Sequence, residues 1–126
     1  MSEPIRVVLI DDHGLCRRGL AELLEQRAGI KVLGTTGNPD EAVRLLTEER
    51  PDLAIMDLRM MPTDGFSLLT RLRAEGCTTP VVVLTSGPLD EVRRRALGAG
   101  AAEVIRLEPD ETRTEAALAG VLARLG

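Results

Sequence analysis

Apolar residues along this 126-residue chain fall into two rhythms that alternate from one end to the other. Short, mostly aliphatic runs occur at Ile5–Ile10 (IRVVLI), from Ile30 to Thr35 or Thr36, at residues 53–56 (LAIM), in PVVVLTS from Pro80, and at residues 101–107. Runs of this kind read as strands buried on both faces. Between them apolar residues recur at helical spacing. Leu15, Gly19, Leu20, Leu23 and Leu24 lead to Gly29; Ala42, Val43, Leu45 and Leu46 lead to Pro51; Phe66, Leu68, Leu69 and Leu72 lead to Gly76. Leu89, Val92 and Ala96 run toward Gly98 and Gly100, and Leu118, Val121, Leu122 and Leu125 close the chain from Asp110 onward. Glycines after the periodic residues suit helix C-caps. Asn38 suits an N-cap, with Pro39 at the first helical position.

Five strands alternating with five helices imply right-handed βαβ crossovers and a parallel sheet covered on both faces. The expected fold is α/β and doubly wound, with strand order 2-1-3-4-5. That order sets strands one and three side by side at a switch point, where ligands bind beyond the carboxyl ends of the strands. The length fits one domain, residues 1–126, and no repeat, linker or low-complexity tract divides it.

Composition narrows the function. Phe66 is the one aromatic residue, so the core is aliphatic and bases have almost no platform on which to stack. A net charge of −4 gives no bulk attraction to DNA or to anionic membrane. Cys16 and Cys77 lie far apart without CxxC spacing, which indicates free thiols rather than a disulfide or a zinc site. No apolar run approaches a membrane span, and the N-terminal run is too short for a signal peptide, so a cytoplasmic protein is expected.

The chemistry gathers at strand ends. Strand three delivers Asp57, and the following stretch, with Pro62, Asp64 and Gly65, cannot continue a strand. Strand one ends in Asp11 and Asp12. In the expected sheet order these three carboxylates share one crevice, where they repel one another unless a cation compensates. Mg²⁺ suits that role, because it prefers oxygen ligands and takes one or two carboxylates together with phosphate oxygens and water. Asp57 could then attack a phosphoryl group and carry it as an aspartyl phosphate. Thr85, ending strand four beside Ser86, offers a hydroxyl to a phosphoryl oxygen. Lone acids at strand ends also cap helices, and threonine favours strands; the triple acid constellation is what tips the balance toward function.

The strings VVLIDDHGLCRRGLAELL, PDLAIMDLRMMPTDG, PVVVLTS and ALGAGAAEVI resemble, in order and over essentially the whole chain, the receiver domain of two-component response regulators. DDH with RRGL is most similar to the NarL/FixJ type. The resemblance implies a flavodoxin-like fold, Asp57 as phosphoacceptor, and Mg²⁺ held by Asp12, Asp57 and the carbonyl of Arg59, with Asp11 helping through water. It also implies Thr85 as the switch hydroxyl and a sensor histidine kinase as phosphoryl source. Control of transcription would act through a DNA-binding output domain not in this chain. The fourth helix, fifth strand and fifth helix would be partner or dimer surfaces, which leaves a homodimer open.

Three positions depart from the family pattern. Leu107 stands where a lysine usually pairs with the acids and the phosphoryl group. Val104 replaces the usual aromatic rotor, and Pro62 comes one residue later than usual. Arg106 adjoins the missing lysine but points to the opposite face of a strand, so a solvated charge is the simpler reading. Leu107 and Val104 favour an alternative, a phosphorylation-independent receiver acting as a dimerisation or docking module. An Asp-nucleophile phosphatase ranks low, because Arg59 and Met61 occupy the places where a general acid is expected. His13 reads as an exposed or capping residue. Met60 and Met61 read as packing or loop residues, since thioethers are poor partners for a hard cation. The run Arg93, Arg94, Arg95 fans around a helix and reads as a solvated surface.

Overall fold

The computed structural model describes residues 4–10, 26, 29–57, 65–85 and 89–106. These residues form five strands and three helices in the order β1 (Ile5–Ile10), β2 (Ile30–Thr36), α1 (Pro39–Glu49), β3 (Leu53–Asp57), α2 (Gly65–Ala74), β4 (Val81–Thr85), α3 (Leu89–Gly98) and β5 (Glu103–Arg106). All strand pairs are parallel, and the sheet order is β2-β1-β3-β4-β5, as the alternating rhythms imply. The helices expected around Leu20 and Leu122 lie outside the described residues.

The side-chain period of two sorts the strands into two apolar layers. Val8, Ile10, Ala54, Met56, Val81, Val83 and Val104 face one side, where Ala42, Val43 and Leu46 of α1, Leu68, Leu69 and Leu72 of α2, and Ala96 of α3 pack on them. Val7, Leu9, Leu53, Ile55, Val82, Leu84 and Ile105 form the other layer and are equally buried. β3 and β4 are buried at every position, which is why their sequences run without polar alternation.

Helix ends follow local chemistry. The Asn38 side chain accepts hydrogen bonds from Asp40 N at 2.8 Å and Glu41 N at 3.2 Å, capping α1. α1 stops at Glu49 because Arg50 turns left-handed, φ 46°, ahead of Pro51. The Arg6 guanidinium then donates to the exposed carbonyls of Glu49 (2.7 Å) and Arg50 (3.2 Å). α2 and α3 end alike. Gly76 (φ +82°) and Gly100 (φ +110°) reverse the chain, with Cys77 N donating to Leu72 O and Ala101 N to Ala96 O. Each is a six-to-one closure of a helix C-terminus.

Two strand boundaries shift from expectation for this reason. Ala101 belongs to the closure of α3, so β5 starts at Glu103 rather than 101. β4 starts at Val81, since Pro80 has no N–H for the ladder, although its carbonyl accepts from Ala54 N at 2.9 Å.

Candidate functional site

The sheet brings two buried polar side chains together on adjacent central strands at its carboxyl edge. Asp57 is the last residue of β3 and Thr85 the last of the adjacent β4. Asp57 pairs in register with Leu84, so Thr85 stands one residue further along the neighbouring strand. Their residue exposures are 3% and 4%, unusual for a carboxylate at the rim of a sheet. Both are engaged by further interactions, so neither is an orphaned polar group.

Strand alternation puts Asp57 on the layer of Leu53 and Ile55, and Thr85 on the layer of Val81 and Val83. The two side chains therefore leave the sheet from opposite faces.

β1 supplies the other wall. It pairs with β2 on one side and β3 on the other, so the crossover direction reverses between β1 and β3. Ile10 is in register with Met56, ending β1 one residue short of the level of Asp57. Asp11 and Asp12 follow Ile10 in sequence, and Arg59 follows Asp57; all three lie outside the described residues, as do His13, Met60, Met61, Pro62, Ser86 and Leu107. Among the described residues no cluster of three or more His, Cys, Asp or Glu is placed to hold a metal ion. Asp57 contributes the one described carboxylate at this edge, an oxygen donor that matches a hard cation.

Thr36 ends β2 at the same edge with 3% exposure. Its hydroxyl accepts from Asn38 N at 3.0 Å, so its role is to order the turn into α1.

β5 flanks β4 at this edge. Arg106 is in register with Thr85, exposed, and on the face opposite Asp57. Val104 is 2% exposed and packed into the helix-covered layer, a small side chain with no ring to rotate.

Two arginines were not legible as anything but charge. Arg73 donates to Gly100 O at 2.8 and 3.1 Å, to Cys77 O at 2.8 Å and to Thr79 O at 3.0 Å, tying the end of α2 to the end of α3. Arg93, Arg94 and Arg95 are exposed as expected, and the Arg95 guanidinium carbon also lies 4.2 Å from the centre of the Phe66 ring. Cys77 is a buried free thiol within the helix-covered core, and Cys16 lies outside the described residues. Among the described residues no helix is long and apolar enough to cross a membrane.

The chain is similar to proteins of one kind. The transcriptional regulatory protein LiaR of Bacillus subtilis is 36% identical over 136 residues, spanning 96% of this chain and 64% of that protein. Protein-glutamate methylesterase/protein-glutamine glutaminase 2 of Anaeromyxobacter dehalogenans is 37% identical over 82% of this chain but only 30% of its own length. The chain thus spans less than two thirds of these curated relatives. The crystal structure of a two-component response regulator of the LuxR family from Aurantimonas sp. SI85-9A1 superposes with a TM-score of 0.85 at 27% identity, covering 96% of this chain and 86% of that one. Residues 7–118 match the family model of the response regulator receiver domain. With the 2-1-3-4-5 sheet and an acid ending its central strand, this match makes the chain a member of the response regulator receiver family.

Proposed function

We propose that the chain is a phosphorylation switch whose acceptor is Asp57. The observation that carries the reading is a carboxylate 3% exposed at the end of β3, beside the reversal of crossover direction, in a chain matching the receiver family over residues 7–118. An Asp57 Oδ attacks phosphorus, the bond from phosphorus to the donor breaks, and the donor leaves with that electron pair. The Thr85 Oγ–H donates a hydrogen bond to a phosphoryl oxygen brought past the strand ends. Asp12, Asp57 and the Arg59 carbonyl would hold Mg²⁺, with Asp11 acting through water. When bound, the ion neutralises charge that builds up on the transferring oxygens. A sensor histidine kinase is the proposed donor, and an output module outside this chain, DNA-binding by analogy with the transcriptional regulator among its relatives, is the proposed target. Such a domain turns over no external substrate.

The test is intact-mass measurement after incubation with a small-molecule phosphodonor and Mg²⁺. A gain of one phosphoryl group that is lost in Asp57→Asn supports the reading; a gain that survives the substitution refutes the assignment to Asp57.

Val104 favours a second reading. The position of the usual aromatic rotor is filled by a valine packed to 2% exposure, so output by ring rotation has no moving part. In this reading the domain docks or dimerises without phosphorylation, and the same measurement shows no mass gain.

A further inference from the structure

Phe66 is the chain's one aromatic residue, and it sits in the first turn of α2, the first described element after Asp57. It is partly buried against the helix-covered core. Arg95 is on α3, the first described element after Thr85. Its guanidinium carbon, 4.2 Å from the ring centre, is well within the range of cation–π attraction. Arg95 is exposed, as are Arg93 and Arg94, and Leu97 is 46% exposed, whereas Ala96 is fully buried against the sheet.

The choice made by Arg95 is informative. Glu91 lies four residues earlier on the same helix, in the order that favours an acid–base pair. Yet among the described residues Arg95 forms no ion pair and stacks on Phe66 instead. The contact therefore spans two helices, joining the described elements that follow Asp57 and Thr85.

We infer that Arg95 is a positioning residue that couples α3 to the Asp57 edge through the Phe66 ring. The inference rests on the phosphoacceptor reading of Asp57. A change around Asp57 that shifts the first turn of α2 moves the ring, and the guanidinium above it carries the shift to α3. β5 offers no ring for this task, since Val104 is packed and aliphatic. The one ring of the chain lies on α2 instead.

The test uses Mg²⁺ with beryllium trifluoride as the phosphoryl mimic, fluorine NMR for occupancy, and hydrogen exchange of residues 53–57 and 89–98. In the native protein, binding should alter exchange in both segments. Arg95→Ala should keep occupancy and the β3 response while reducing the α3 response by about two- to fivefold, the range expected for one partly exposed cation–π contact. Phe66→Leu should reproduce that loss, and Arg95→Lys should retain most of the response. Thermal unfolding of each variant establishes that it is folded.

An unchanged α3 response in both Arg95→Ala and Phe66→Leu overturns the coupling. So does native protein that binds the mimic without any response in α3, or an Arg95→Ala variant that loses occupancy and the β3 response as well. Native protein that binds no mimic refutes the phosphoacceptor reading, and the coupling falls with it.

Discussion

A Cβ built on Gly100 would lie 2.8 Å from Cγ and 2.9 Å from Nε of Arg73, the side chain that grips the Gly100 carbonyl. The backbone there is also left-handed, φ +110°. Gly100→Ala thus faces backbone strain and collision with a side chain already fixed by four hydrogen bonds. The expected loss is about 2–4 kcal/mol, seen as a lower midpoint in urea or thermal unfolding. In an Arg73→Ala background the same substitution should cost less, because only the backbone part remains. Equal costs in the two backgrounds would show that the collision contributes nothing.

Arg50 carries the opposite expectation. Its left-handed conformation, φ 46°, is one that glycine adopts without a Cβ penalty. The interactions around it involve its carbonyl, which accepts from Arg6 and survives substitution. Arg50→Gly should raise stability by about 0.5–1 kcal/mol, net of the extra unfolded-state freedom. A fall in unfolding midpoint would mean that the side chain contributes something the hydrogen bonds do not show.

Asn38 is the third case. Its side chain satisfies the backbone amides of Asp40 and Glu41 at the start of α1. Asn38→Ala should cost about 1 kcal/mol, whereas Asn38→Asp should stay close to native stability. Chemical denaturation of the three proteins side by side makes the comparison.

Leu107 offers a functional prediction. If Asp57 is the phosphoacceptor and the family spacing holds at this position, a lysine there would add a charge-assisted hydrogen bond to the phosphoryl group, worth about 1.5–3 kcal/mol. Leu107→Lys should raise phosphoryl occupancy at fixed phosphodonor, read by intact mass. Unchanged occupancy would mean that this position does not limit the switch.

The fold was legible because a parallel sheet buried on both faces writes its strands as unbroken runs, and Val81–Thr85 and Leu53–Asp57 are buried throughout. Where an apolar residue serves the backbone rather than a face, the pattern misleads. Ala101 looks like strand but its N–H closes α3. Asp57 and Thr85 were legible as strand-end polar residues, though not their departure from opposite faces, which follows from register. Arg73 was illegible because its carbonyl partner at Gly100 is near only in the folded chain. Arg95 is exposed, as its place in the basic run implies, but helical spacing describes its own helix and is silent about the ring on the next one.

One irregularity bears on how this molecule coexists with its own copies. β2 is an outermost strand, and its register against β1 slips between Val7 and Val8, where Val32 and Gly34 are the successive partners and Leu33 is left over. An extra residue bends the strand and interrupts the even row of amides and carbonyls that an incoming strand would need. Lys31, exposed nearby, adds a charge to the same margin. Both features work against strand-by-strand addition of a second copy along that margin.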